Sequence, residues 1–158
     1  MAVSQRMSIQ DVDYGAYKAV FPLQKYISSG GIDEKLLLLI QIRSSQLNQC
    51  AWCLDMHLTE ARKQGIPQRK LDLIAAWREA PSQFTDEERA ILAFTEQVTL
   101  ISQGGVSDEV WADLRSHFDE KKTLTLLMAV AAINVWNRMN VTVHSDLAPA
   151  GEPVAAAA

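Results

Sequence analysis

Arg43-Ser44-Ser45-Gln46-Leu47-Asn48-Gln49-Cys50-Ala51-Trp52-Cys53-Leu54-Asp55-Met56-His57 contains the only two cysteines of the chain and one of its three histidines. The spacing predicts a helix over residues 51–64 that opens just after Asn48 and Gln49. Cys50 then lies at the helix mouth, Cys53 in the first turn and His57 one turn deeper. Backbone N–H groups at a helix N-terminus are unpaired and carry partial positive charge, so they favour a thiolate over a thiol. At such sites a cysteine pKa falls from about 8.5 to roughly 3.5–7.5. Cys50 and Cys53 lie roughly 60° apart around the axis, and Cys53 and His57 about 40° apart with a rise of about 6 Å. All three can share one face, where the thiols can close a disulfide and the imidazole can exchange a proton with a sulfur, which is the layout of a dithiol redox centre.

Working outward, Asp33 is a good N-cap for the preceding helix, Glu34 to about Leu47. Its run of Leu36, Leu37, Leu38, Leu39, Ile40 and Ile42 is apolar nearly all round, so this helix is expected to be buried on more than one side. Upstream, residues 1–13 read as an irregular arm and residues 13–28 as a first helix, with Pro22 giving a kink or break. Its apolar face carries Tyr14, Tyr17, Val20, Phe21, Leu23 and Ile27. Downstream, Gly65-Ile66-Pro67 stops the cysteine helix. A short helix follows through Leu71, Ile74 and Trp77 to Ala80. Thr85-Asp86-Glu87-Glu88 has the form of a capping box, opening a helix to about Gln103 with Ala90, Ile91, Phe94, Val98 and Ile101 inward. Ser107 caps a short helix with Val110, Trp111 and Leu114 inward, and Asp119 starts a long one to about His144. No stretch shows strand alternation. The expected fold is all-α, about seven helices in one domain over residues 1–146, with residues 147–158 a flexible tail.

Composition narrows the function. The 158 residues are 48% hydrophobic and 22% charged, enough for a core that needs no cross-link. The net charge of -4 and the lack of a Lys/Arg run argue against nucleic acid as a partner. The N-terminus lacks a basic start followed by an apolar run, and no apolar stretch approaches the roughly 20 residues that span a bilayer. A cytoplasmic protein without membrane association is expected. In a reducing compartment, two cysteines three residues apart are more often catalytic or metal-binding than structural.

Ser45-Gln46-Leu47-Asn48-Gln49-Cys50-Ala51-Trp52-Cys53-Leu54-Asp55-Met56-His57 resembles the core signature of the alkylhydroperoxidase D (AhpD)-like branch of the carboxymuconolactone decarboxylase superfamily. Trp77-Arg78-Glu79-Ala80-Pro81, Phe84-Thr85-Asp86-Glu87-Glu88-Arg89 and Ile133-Asn134-Val135-Trp136-Asn137-Arg138 are similar to that family too, so the likeness covers most of residues 35–142. It implies an all-helical protomer assembling as a homotrimer or homohexamer and a peroxidase cycle on a hydroperoxide substrate. Carried over by position, Cys53 would be the peroxidatic cysteine, Cys50 the resolving one, and His57 a member of the proton relay. A thiol or protein reductant, not identified by the sequence, would return the disulfide to thiols. The sequence departs from the family in two places. The relay glutamate expected twelve residues before the first cysteine is Leu38; Glu34, one turn earlier, is either its substitute or a first-turn partner of the helix dipole. The histidine that alkylhydroperoxidase D carries just before its second cysteine is Trp52.

Other readings compete. Buried cysteines can be inert packing groups. Zinc would need ligands beyond Cys50, Cys53 and His57, and neither His117 nor His144 stands at a telling spacing. A c-type haem would need histidine where Leu54 stands. No cofactor and no metal are therefore expected. A non-peroxidatic oligomer, acting as redox sensor or scaffold, stays open, as does an acid/base decarboxylase that leaves the cysteine pair unexplained. His117 and His144 are expected to be structural or solvated, and Asn134, Asn137 and Asn140 to form a buried amide ladder.

Overall fold

The structure is a computed structural model that describes residues 4–147. The expected tail, apart from Leu147, lies outside the described residues. Among these there are eight α-helices and no strand: α1 Ile9–Lys18, α2 Phe21–Ser28, α3 Glu34–Leu47, α4 Ala51–Lys63, α5 Gln68–Leu73, α6 Asp86–Thr99, α7 Asp108–His117 and α8 Glu120–Val143. The fold is all-α, as the sequence implied.

Helix starts follow the capping residues. The Asp33 carboxylate accepts the Lys35 N–H at 2.8 Å, and Asp119 accepts that of Lys122 at 2.8 Å. Thr85 and Glu88 form the reciprocal capping box, with the Glu88 N–H on Thr85 Oγ1 at 3.2 Å and the Thr85 N–H on the Glu88 carboxylate at 2.8 Å. Gly65 ends α4 at φ 76°, with the Gly65 N–H on Arg62 O and the Ile66 N–H on Ala61 O, both at 3.0 Å. This paired closure needs a left-handed residue, and glycine supplies it without strain.

Three boundaries differ from the expectation. The first helix is two: it starts at Ile9, inside the expected arm, and breaks between Lys18 and Phe21, because Pro22 suits the first turn of a new helix better than the middle of an old one. α6 ends at Thr99 and gives way to a 3₁₀ turn at Ile101–Gln103, so Ile101 is 61% exposed instead of inward. Trp111 is likewise 45% exposed, with its ring tilted against Phe94 at 6.4 Å between centroids. The short segment before α6 continues as 3₁₀ turns at Ile74–Glu79 and Pro81–Gln83.

α3 lies at the centre. Ile40 packs with Ile91, Phe94, Leu114, Leu126, Val130 and Ile133 of α6, α7 and α8. Leu38, Leu39 and Ile42 pack with Ala61, Leu71, Ile74, Trp77 and Leu92 on the other side. An apolar surface all round is what a helix between two clusters requires. Each fully buried Leu or Ile contributes about 1.5–3 kcal/mol.

One polar cluster ties α3 to α6. Glu96 accepts from Arg43 Nε at 2.7 Å and from Trp77 Nε1 at 2.8 Å, and it pairs with Arg78. Burial alone would raise its carboxyl pKa; the bonds from Trp77, Arg78 and Arg43 outweigh it and hold the group below the usual carboxylate range. Glu96→Ala leaves Arg43 and the indole N–H unpaired and is expected to lower unfolding stability by about 3 kcal/mol. Arg78→Ala removes the more exposed partner and should cost about 1 kcal/mol or less. Urea unfolding of the two variants tests the contrast; equal losses would mean that Glu96 does not anchor α3.

Candidate functional site

The corner between α3 and α4 is only three residues long, and its backbone is fixed from both sides. Asn48 caps α3, Gln49 takes the left-handed conformation at φ 56°, and the Cys50 N–H reaches back to Ser45 O at 2.9 Å. Cys50 is also the N-cap of α4, where its Sγ accepts the Cys53 N–H at 3.3 Å. The last bond of one helix and the first of the next therefore meet at one residue.

Cys50 and Cys53 are joined as a disulfide with their Cα atoms 5.3 Å apart, and each is about 1% exposed. The corner is held against α8 by side-chain amides. Asn48 Nδ2 donates to the Asn134 and Asn137 oxygens, each at 2.9 Å, and Asn137 Nδ2 donates to Ser45 Oγ at 3.0 Å. Asn134 Nδ2 reaches Thr99 Oγ1 at 3.2 Å, and Thr99 bonds Ser44 Oγ at 3.0 Å. Asn140 Nδ2 points at Cys53 Sγ at 3.9 Å, and its oxygen accepts from Ser145 Oγ at 2.7 Å. The amide ladder expected on α8 is thus present, and it holds the cysteine corner in place.

The two cysteines border different spaces. Cys53 and His57 line a cavity of about 940 Å³ whose walls include Tyr14, Tyr17, Phe21, Trp52, Met56 and Trp136. Leu38 lies in its wall, where a carboxylate was expected, and Glu34 and Glu60 line it as well. His57 is 8% exposed, and burial pushes its pKa down to about 4, so the imidazole is neutral at pH 7. Burial also raises the Tyr17 hydroxyl pKa. Cys50 lines a smaller cleft of about 460 Å³ with Gln49, Ala51, Trp52, Asn140, Val141, His144, Ser145 and Asp146. Trp52 borders both spaces.

Cys53 and His57 line one cavity, and the disulfide holds Cys50 beside Cys53 on the edge of the other space. His117 lines neither; it lies 3.8 Å from Asp113 at the far end of α7. His144 falls in the Cys50 cleft, which its distance in sequence concealed. Sequence reasoning also missed Tyr17 and Glu60, which the folding of α1 and α4 around the cavity brings to the site; no local pattern marked either. Among the described residues, no group of three or more His, Cys, Asp and Glu is placed to hold a metal ion.

Residues 15–97 match the family model described as the carboxymuconolactone decarboxylase family. The uncharacterized protein YdfG of Bacillus subtilis is 35% identical over 146 residues, which is 92% of this chain and 99% of that one. A solved structure from Agrobacterium tumefaciens, of a protein of unknown function named as a candidate AhpD antioxidant defence protein, superposes with a TM-score of 0.87 at 36% identity, covering 90% of this chain and 97% of that one. The alkylhydroperoxidase AhpD core of an uncharacterized peroxidase-related protein from Ralstonia eutropha shares the fold, with a TM-score of 0.73 at 22% identity over 85% of this chain and 72% of that one.

The buried imidazole makes stability depend on pH. Above about pH 6.5, His57 is neutral in both folded and unfolded chains and its environment costs nothing through protonation. As the pH falls, the unfolded chain takes up the proton first, so stability drops until the folded group also titrates near about 4. The expected loss across that window is about 3 kcal/mol, from about 1.4 kcal/mol per pKa unit. Urea unfolding at pH 7 and pH 4 of the wild type and His57→Gln should show that part of the slope only in the wild type; parallel slopes would refute a buried neutral imidazole.

Proposed function

The chain belongs to the carboxymuconolactone decarboxylase family and is AhpD-like, and we propose that it is a thiol-dependent peroxidase that reduces hydroperoxides through Cys53 and Cys50. The observation that carries this reading is the Cys50–Cys53 disulfide, of which Cys53 faces a cavity shared with a neutral histidine. In the reduced protein, His57 takes the Cys53 proton and the thiolate attacks the peroxide. An S–O bond forms, the O–O bond breaks, and the departing alkoxide takes up the proton as an alcohol. Cys50, whose thiolate is favoured by the Cys53 N–H, then attacks the sulfenic acid sulfur. The S–S bond forms and the hydroxyl leaves as water.

Leu38 removes the relay carboxylate, and Glu34, one turn earlier, lines the same cavity; it is the carboxylate proposed to hand protons on to solvent. The aromatic walls suit a hydroperoxide carried on a bulky apolar group better than hydrogen peroxide. The near-complete burial of both sulfurs favours a second reading, in which the same disulfide forms slowly and reports oxidation without rapid turnover.

The proposed assembly is a homotrimer or homohexamer. It is supported by the apolar side chains that α8 leaves exposed, among them Leu124, Leu127 and Val135. Among the described residues, no helix is long and apolar enough to cross a membrane. A disulfide that must be reopened in every cycle fits a reducing compartment, so the proposed location is the cytoplasm. The reductant is a thiol or a protein dithiol.

One equivalent of cumene hydroperoxide should convert the reduced wild type to the Cys50–Cys53 disulfide and leave a trappable sulfenic acid on Cys53 in Cys50→Ser. Cys53→Ser should consume peroxide at least about a hundredfold more slowly, the scale of a lost covalent nucleophile or its base. Mass spectrometry reads both, and unmodified thiols in the folded wild type would end the peroxidase reading. Sedimentation at micromolar concentration should give three or six protomers; a monomer would remove the oligomer.

A further inference from the structure

Three helix ends in this structure close in the same left-handed way, and they differ in the residue used. α4 uses Gly65, the ordinary choice. α3 uses Gln49 and α8 uses His144, at φ 56° and φ 53°. The His144 N–H bonds Val141 O at 3.3 Å and the Ser145 N–H bonds Asn140 O at 3.0 Å, which repeats the closure at Gln49. A side chain with a Cβ is strained in this conformation, and glycine would relieve the strain. Both strained residues line the small cleft that also includes Cys50. Strain kept at a reactive sulfur points to a use for the side chains that glycine would lose.

We propose that this cleft is the entry for the reductant, a dithiol, which attacks Cys50 Sγ with His144 as the base for the incoming thiol, while the peroxide uses the separate cavity at Cys53. The inference rests on the peroxidase reading for its purpose and on the two openings for its geometry. The cleft has an open rim, with Gln49, Ala51 and Val141 exposed, so a thiol borne on a polypeptide or on a long arm can reach it. The Cys53 cavity is walled by aromatic rings and suits a compact apolar molecule.

The electrons balance in two steps. The first thiol gives its proton to His144 and forms an S–S bond to Cys50; the Cys50–Cys53 bond breaks and its electron pair stays on Cys53 as a thiolate, beside Asn140 Nδ2 at 3.9 Å. The second thiol of the reductant then attacks its own partner sulfur, closing the reductant's disulfide and expelling Cys50. Expulsion is easiest for the more stabilised thiolate, and Cys50 is the sulfur that accepts the Cys53 N–H at 3.3 Å. Cys50 recovers the proton held by His144, and the second thiol's proton ends on Cys53. The dithiol is oxidised by two electrons and the protein disulfide is reduced by two.

The test starts from wild-type disulfide made with diamide, so that it stands even if peroxide proves not to react. Glutathione is added as a thiol that cannot complete the second step, the mixture is quenched early with N-ethylmaleimide, and the peptides are mapped. The expected product carries glutathione on Cys50 and maleimide on Cys53; the reverse pattern, or an even mixture, overturns the proposal. Reduction by dithiothreitol, followed by Trp fluorescence, is then compared with oxidation by cumene hydroperoxide. His144→Gly should raise the unfolding midpoint by relieving the left-handed strain, yet slow reduction at least about tenfold more than it slows oxidation, below the usual span for a lost general base. A variant that is stabilised and reduced as fast as the wild type would leave His144 with no part in the reaction. Val141→Trp, which narrows the cleft without touching a polar group, should slow reduction in preference to oxidation in the same way, and an equal effect on both would refute two entries.

Discussion

Everything chemical in this protein depends on Cys50 being the last residue of one helix closure and the first of the next. Its N–H is committed to α3 through Ser45 O, and its sulfur is committed to α4 through the Cys53 N–H. The N–H groups of Asn48, Gln49 and Cys50 are all taken, which leaves the corner little freedom to drift. The Asn48 amide adds the third constraint by clamping the corner to α8 through Asn134 and Asn137. These amides lie in the protein interior, where leaving one unpaired would cost about 1–3 kcal/mol, so they fix a unique register as well as holding the helices together.

The same burial sets the electrostatics. With Leu38 in the cavity wall, the relay position itself carries no carboxylate, and desolvation by burial sets the state of His57. A neutral imidazole can accept a thiol proton and then release it to an alkoxide, whereas an imidazolium could only donate. Leucine at position 38 makes this part of the cavity wall apolar.

Much of this was legible because the signals are local. Asp33, Thr85 with Glu88, Ser107 and Asp119 each announce a helix start through a bond spanning two or three residues, and Gly65 announces an end through its own backbone freedom. The Cys50, Cys53 and His57 constellation was legible for the same reason, since a helical period places all three. Non-local features were not. Ile101 was read inward on the assumption that α6 keeps its period, but the helix gives way to a 3₁₀ turn after Thr99. His144 was set aside because nothing near it in sequence is reactive; it meets Cys50 only because α8 runs the length of the molecule and ends beside the start of α4. The apolar run in α3 showed burial on several sides without showing which clusters it separates.

Trp52 completes the division of labour. It stands where the resemblance places a histidine, between the two cysteines, and in this structure it borders both openings. A histidine there would put a second titrating group between the sulfurs and admit water to both. An indole is larger and apolar along most of its surface, and Trp52 forms part of the wall of both the cavity and the cleft. Cys53 shares its cavity with His57, and Cys50 shares its cleft with His144. Under the two-entry proposal, Trp52 is the wall between the oxidant's way in and the reductant's.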